Sequence, residues 1–246
     1  MPVFFIHSTQ VEDEKITIPD PLASHLSKSL RTRPGDHLIL NDERGKRYHT
    51  IVLQITRERI HSKILSIQES APCSTPFITL AQAILKGEKM GWVIQKATEL
   101  GIRAFVPLIT ERVVSRVSSK HVAGWQERWE RIALEAAQQS ERWDVPTILP
   151  PQRFTDFLQQ EDKGIMIVLA ERQEKISLPL TKIPLSSKVQ GEITVITGPE
   201  GGWTNAELQT ALFRGASFAT LGKGILRAET ASLASLAILQ ARLNYL

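Results

Sequence analysis

Cysteine is nearly missing from this chain: Cys73 is the single one in 246 residues. That excludes an internal disulfide and any zinc site built on several cysteines, and it fits a reducing, cytoplasmic compartment. No apolar run reaches the roughly 18 residues that a membrane helix needs. The N-terminus carries no basic leader followed by a short apolar stretch, so neither a signal peptide nor a membrane span is expected. Nucleotide fingerprints are incomplete as well. A Walker A loop needs G-x-x-x-x-G-K-[ST], and no such run occurs. A dinucleotide turn needs G-x-G-x-x-G and an acidic residue about 20 positions further on. Gly222-Lys223-Gly224-Ile225-Leu226-Arg227 has arginine at the third glycine, and only one helix follows it. His25, His37, His49 and His61 lack metal-ligand spacing and read as surface or polar-core residues.

What is present is an ordinary globular balance, 42% hydrophobic and 23% charged, enough to build a core. A formal charge of +4 and a pI near 9.3 admit nucleic acid as a partner without requiring it. The most informative stretch is Ile193 to Leu246. An apolar β-branched run, Ile193 to Thr197, enters Gly198-Pro199-Glu200-Gly201-Gly202. A helix follows, with Thr204 as N-cap and Glu207 three residues on as its capping-box partner, and Gly215 closes it. A second strand, Ser217 to Leu221, meets Gly222-Lys223-Gly224, and after Arg227 comes an Ala- and Leu-rich helix. Two strands that each end in a glycine turn place two loops at one carboxyl edge of a sheet, where open α/β sheets bind ligands.

The segment from Met1 to about Ala71 reads as a small β-barrel. Val3 to Ile6, His37 to Asn41, Arg47 to Thr56 and Ile60 to Ile67 are strands. Asp42-Glu43-Arg44-Gly45 is a hairpin turn, and a helix runs from Asp20-Pro21 to about Leu30. Between Lys28 and Lys63 stand nine basic residues against four acidic ones, a surface suited to a phosphate backbone. Two prolines in Ala71 to Pro76 mark a linker. Beyond it, strands (Phe77 to Ala83, Arg103 to Leu108, Gly164 to Leu169) alternate with helices (Lys89 to Leu100, Lys120 to Gln139, Phe154 to Gln160). Trp125 and Trp129 share a helix face and read as core or interface rather than as a ligand-stacking pair. Ala170 to Gly191 reads as a long polar connection. This alternation predicts an α/β fold: a mostly parallel sheet with helices on both faces.

Gly198-Pro199-Glu200-Gly201-Gly202, followed by Leu221-Gly222-x-x-Ile225-Leu226-Arg227-x-Glu229-Thr230-Ala231, resembles the SPOUT class of RNA methyltransferases. Within that class the chain resembles, over nearly its whole length, the RsmE-type ribosomal RNA uridine-N3 methyltransferases. His25-Leu26, Leu30-Arg31, Gly35-Asp36, Lys86-Gly87, Gln95 to Gly101, Glu111-Arg112 and Glu135 to Ser140 are matching blocks. Ser29 departs from the family, which usually has an apolar residue there. The resemblance implies a PUA-like, RNA-binding β-barrel over residues 1–71. It implies a SPOUT methyltransferase domain with a C-terminal trefoil knot over residues 72–246. It further implies S-adenosylmethionine as cofactor, a homodimer, and 16S rRNA of the small ribosomal subunit as substrate, methylated at N3 of one uridine.

Carried onto this sequence, the resemblance gives Leu169, Thr197, Gly198, Gly201, Gly202, Leu221, Gly222, Ile225, Leu226 and Thr230 as cofactor-binding residues. Arg227 would stabilise charge on the uracil carbonyls. Glu229, or a water, would accept the N3 proton. Arg31, Arg33, Lys86, Arg112 and Arg116 are RNA-binding candidates. The methyl donor is a sulfonium, so the reaction needs no metal. Two other readings stay open at this point. A non-catalytic RNA-binding assembly factor would share the basic barrel without needing both glycine loops. A nucleotide-dependent dehydrogenase is disfavoured by the missing fingerprint.

Overall fold

The computed structural model describes residues 2–70, 76–113, 119–160, 164–171, 176–185 and 191–243. All but Pro76 of the expected linker lies outside the described residues, and so does Arg116. The chain divides into two compact units, Met1–Cys73 with Ala137–Asp144, and Ser74–Ala136 with Val145–Leu246.

The first unit is a six-stranded sheet: β1 (Val3–Phe5), β2 (Val11–Glu12), β3 (Lys15–Pro19), β4 (His37–Asn41), β5 (Lys46–Ile55) and β6 (Arg59–Glu69), in the order β1-β4-β5-β6-β3-β2. Only β1 with β4 is a parallel pair. Period-two alternation sets the inner face: Ile16 and Ile18, Leu38 and Leu40, and Tyr48, Thr50 and Val52 are buried. β3 was not anticipated, although its Lys-Ile-Thr-Ile pattern alternates; the run is short and ends in proline. The helix expected from Asp20 to Leu30 is broken differently. One α-helical turn, α1 (Leu22–Ser24), runs into a π-helical segment, His25–Ser29, in which the Leu30 amide bonds to the His25 carbonyl at 3.2 Å. Pro21, not Asp20, takes the N-cap place, with no side-chain cap bond; Asp20 instead accepts the Ser24 amide at 2.9 Å.

The β4–β5 hairpin turns on Asp42, which is buried. One carboxylate oxygen accepts the amides of Arg44 and Lys46, both at 2.9 Å. The other accepts the Tyr48 hydroxyl at 2.8 Å. Beside it, Asn41 and Arg47 bind the 137–144 segment of the same unit. Asn41 Nδ2 donates to the Arg142 carbonyl at 2.8 Å, Arg47 Nη2 donates to the Glu141 carbonyl at 2.8 Å, and the guanidinium lies 4.0 Å over the Trp143 ring. Arg47 is thereby a structural residue, and its charge is withdrawn from the basic surface counted in the sequence.

The second unit is an eight-stranded sheet whose described pairings are all parallel. Its strands are β7 (Phe77–Ala83), β8 (Ala104–Ile109), β9 (Thr147–Ile148), β10 (Gln152–Arg153), β11 (Ile165–Leu169), β12 (Leu178–Pro179), β13 (Glu192–Thr197) and β14 (Ser217–Thr220). They lie in the order β10-β8-β7-β13-β11-β14-β12, with β9 on β8. The helices are α2 (Lys89–Glu99), α3 (Ser119–Gln139), α4 (Phe154–Gln159), α5 (Asn205–Phe213) and α6 (Ala228–Arg242). Central strands β7 and β13 are buried almost end to end, as expected of a sheet covered on both faces. Ile78, Leu80, Ile193 and Val195 meet Val93 and Ile94 of α2, Trp129 of α3 and Leu236 and Leu239 of α6. Ala81, Val106 and Ile196 face Phe157 of α4 and Leu208 of α5. On α2 the buried positions Met90, Val93, Ile94, Ala97 and Thr98 follow the helical period. Trp125 and Trp129 stack at 5.8 Å between centroids, with Trp129 in the core.

The Ala170 to Gly191 stretch is not only a polar connection. It carries β12 and a 3-10 turn, Leu180–Lys182. Leu180 and Ile183 are 1% exposed, and their carbonyls accept the two Arg242 Nη groups at 2.7 Å each. Ile176, Leu178, Leu180, Ile183 and Leu185 are broken by Pro179 and Pro184 and hold neither a strand nor a helix period for long, which is why the sequence concealed the buried pair.

Burial, with the hydrogen bond to Asp42 behind it, pushes the Tyr48 phenol up to about 12. Tyr48→Phe leaves one buried Asp42 oxygen without its donor. The expected loss is about 1–3 kcal/mol of unfolding free energy, read from urea denaturation; a midpoint equal to that of the unsubstituted protein would remove this bond from the hairpin's stabilisation.

Candidate active site

Because β11 lies between β13 and β14, and all three run parallel, their carboxyl ends sit side by side. Three loops converge there: 198–203 after β13, 170–171 after β11 and 221–227 after β14. They surround a cavity of about 620 Å³.

The first loop is held on all sides. Gly202 takes a φ of 72°, a region that costs other residues strain, and its amide closes a turn onto the Pro199 carbonyl at 2.9 Å. A Cβ on Gly198 would stand 2.9 Å from the Trp203 ring, so glycine is what lets that indole fold back. Trp203 then donates from Nε1 to the Leu169 carbonyl at 3.0 Å and packs on Phe154 at 4.7 Å between centroids. Thr204 and Glu207 form the expected capping box at the start of α5. Glu207 is buried, and its second oxygen accepts the Glu111 amide at 2.9 Å. The next residue, Arg112, donates from Nη1 to the Gly201 carbonyl at 2.9 Å. The loop after β8 is thus fastened to the glycine loop after β13.

The other wall is α6. Arg227 is its N-cap residue in extended conformation, with no side-chain cap bond, and its exposed side chain lines the cavity. Below it a buried polar network joins three elements. Gln82, at the carboxyl end of β7, donates from Nε2 to the Ala83 carbonyl at 2.9 Å and lies 3.5 and 3.4 Å from the carbonyls of Thr197 and Gly198. Its Oε1 accepts the Ser232 hydroxyl of α6, whose oxygen also lies 2.9 Å from the Ala228 carbonyl. Above the network, Lys89 Nζ lies 3.2 Å from Glu200 Oε1 and 3.4 Å from Glu229 Oε1. The hydrogen bond to Glu200 is the main cause that holds the Lys89 ammonium above the ordinary lysine range. Burial pushes Glu200 up, but bonds from its own amide, from Lys89 and from the Lys86 amide hold it below the ordinary carboxylate range.

Of the residues expected from the sequence, Leu169, Thr197, Gly198, Gly201, Gly202, Ile225, Leu226 and Arg227 line this one cavity. Leu221, Gly222, Glu229 and Thr230 are not in its lining, and neither is Lys86. Arg112, expected on RNA, lines the cavity with one guanidinium nitrogen committed to Gly201. Arg31 and Arg33 are exposed in the first unit. Lys89, Glu171 and Trp203 also line the cavity and were not foreseen. Trp203 directly follows the glycine loop, a signal within the motif itself. Glu171 and Lys89 reach the site only through the strand order and the packing of α2, which no local pattern reveals.

The family model described as an RNA methyltransferase domain matches residues 73–240, and one described as an RNA methyltransferase PUA domain matches residues 18–65. Ribosomal RNA small subunit methyltransferase E of Rickettsia conorii is 33% identical, covering 95% of this chain and 92% of the relative. That of Synechocystis is 32% identical, covering 96% and 76%. The fold superposes on the crystal structure of ribosomal RNA small subunit methyltransferase E from Neisseria gonorrhoeae, bound to S-adenosyl methionine, with a TM-score of 0.85 and 33% identity over 98% of both chains. It also superposes on a Legionella pneumophila methyltransferase in complex with the same cofactor, with a TM-score of 0.86 and 27% identity over 98% of both chains. Matched by that domain model over more than half its length and by these relatives over nearly all of it, the chain belongs to the ribosomal RNA small subunit methyltransferase E family of RNA methyltransferases.

Proposed function

We propose that this protein transfers a methyl group from S-adenosylmethionine to N3 of one uridine in 16S rRNA of the small ribosomal subunit. The observation that carries the reading is the convergence of the β13, β11 and β14 loops on one cavity, in a chain of an rRNA methyltransferase family with a structural relative of that name bound to S-adenosyl methionine. The cofactor is a sulfonium cation with an adenosine and an amino-acid arm. The residues fit it. The cavity lies within the usual range for small-molecule sites, Leu169 and Leu226 offer apolar walls, and Glu171 and Glu200 offer carboxylates to a cation. Thr197 Oγ1 is buried and has no hydrogen-bond partner among the described residues, a polar group left for a ligand to satisfy. When bound, the cofactor supplies an activated methyl electrophile.

The protein's own part is charge and position. Arg227, exposed at the cavity, stabilises the negative charge that develops on the uracil carbonyls as N3 loses its proton. That proton goes to Glu229 or to water; Glu229 Oε2 is buried without a hydrogen-bond partner among the described residues, while Oε1 faces Lys89. N3 lies on the Watson–Crick edge, so the base is presented unpaired or flipped out. Arg31 and Arg33 hold the surrounding phosphates, and Lys86, Arg112 and Arg116 add further contacts to the RNA. To this reading also belong a PUA-like barrel over residues 1–71, a knotted SPOUT domain over residues 72–246, a homodimer with the site near its interface, and a cytoplasmic location.

The deciding experiment is transfer of labelled methyl to small subunits that lack the modification, with the product base mapped by mass spectrometry. Methyl on N3 of a single 16S uridine is expected. Methyl on another base overturns the N3 assignment, and absence of cofactor binding favours an RNA-binding assembly factor. In that assay Arg227→Ala is expected to lower turnover about 10²–10³-fold with an unchanged melting temperature, and near-normal turnover would take Arg227 out of the chemistry. For RNA binding, Arg33→Ala is combined with Arg31→Asn, because Arg31 holds a φ of 56° that asparagine tolerates. The pair should weaken affinity and lower the slope of log K against log salt by about 2; an unchanged slope would make this face mere solvated surface.

A further inference from the structure

Glu200 and Glu229 come from the two loops that carry the family motifs, one after β13 and one in the first turn of α6. Both present an oxygen to the same nitrogen, Lys89 Nζ, at 3.2 and 3.4 Å. The three side chains are partly withdrawn from water, 36% exposed for Lys89, 35% for Glu200 and 14% for Glu229. Lys89 is the first residue of α2, an element that belongs to neither loop, and its stem is rooted beside Met90 in the core. Lysine suits this place: a compact point charge with three donors can serve two carboxylates from one position. Without it, two carboxylates would face each other across the join between the loops, and like charges at that separation repel.

We propose that Lys89 is a positioning residue that latches the glycine loop after β13 to the start of α6, and so fixes the width of the cofactor cavity. Resting on the methyltransferase reading for its consequence but not for its geometry, the latch acts through Glu229 on its neighbour Arg227. With Lys89 in place, the Glu229 carboxylate is fixed in the first turn of α6, and the Arg227 backbone is set by the turn that follows. With Lys89 removed, charge repulsion drives Glu200 and Glu229 apart, and the two walls lose their register.

The test compares Lys89→Met, Lys89→Arg and the double variant Lys89→Met/Glu200→Gln in the full chain. Hydrogen exchange in the ligand-free protein reads the latch directly. Lys89→Met is expected to speed exchange in both the 198–204 and 222–230 segments. Lys89→Arg is expected to stay near the unsubstituted protein, and the double variant to recover at least part of the protection because the repelling charge is gone. Binding of S-adenosylmethionine by calorimetry, compared between the two single variants that keep Glu200, should be weakened about fivefold in Lys89→Met and stay near normal in Lys89→Arg. A purely packing role for the lysine stem predicts no recovery in the double variant, and that result would overturn the proposal, as would unchanged exchange in Lys89→Met. Failure of the unsubstituted protein to bind the cofactor would instead overturn the methyltransferase reading, while hydrogen exchange would still decide the role of Lys89.

Discussion

The arrangement of the site depends on one fully buried amide. Gln82 is the last residue but one of the central strand β7, where the glycine turn after β13 and the first turns of α6 come together. A polar side chain there is costly unless every donor and acceptor finds a partner. Gln82 finds them in the Ala83 carbonyl and the Ser232 hydroxyl, with the Thr197 and Gly198 carbonyls close by. An apolar residue of the same size would fill the space but leave the Gly198 turn and α6 free to slide against each other. The small residues around the network serve the same end: Ala231, Ser232 and Ser235 bring α6 close against the sheet, and Ser235 donates its hydroxyl to the Ser232 carbonyl within the helix.

Much of this was legible in the sequence, and the boundary of legibility is physical. Local rules carried the parts governed by neighbours along the chain. Thr204 and Glu207 form the capping box, Gly101 and Gly215 end helices with positive φ, and the continuous apolar runs became central parallel strands. The Asp42 hairpin was equally clear from its residues, because carboxylates beside glycine bond their own backbone. Hidden were features fixed by tertiary neighbours. β11 precedes β13 and β14 in the chain but lies between them in the sheet. Family resemblance could therefore bring Leu169 and Ile225 to one cavity, whereas the order of elements along the chain could not. Arg47 looked like one more surface cation, and only the carbonyl of Glu141 and the ring of Trp143 show that it is a structural bond.

The two walls of the cavity are built to different stiffness. The β13 side is tied to the loop after β8 by the Glu207 carboxylate and the Arg112 guanidinium, and to the end of β11 by the Trp203 indole. The stretch before α6 has far less to hold it. Lys223 and Gly224 are exposed, Ile225 is 70% exposed, Arg227 has no side-chain cap bond, and the bond from the Leu226 amide to Glu171 is 3.5 Å long. Local stability follows such differences in burial and bonding. A small ligand gains affinity from a wall that is already ordered, since less freedom is lost when it binds. The other wall, with an exposed isoleucine and an exposed arginine without a side-chain cap bond, is left able to adjust to what it meets. The lysine between Glu200 and Glu229 stands where the stiff wall and the loose one join, so the charge it supplies decides how far the looser side can move.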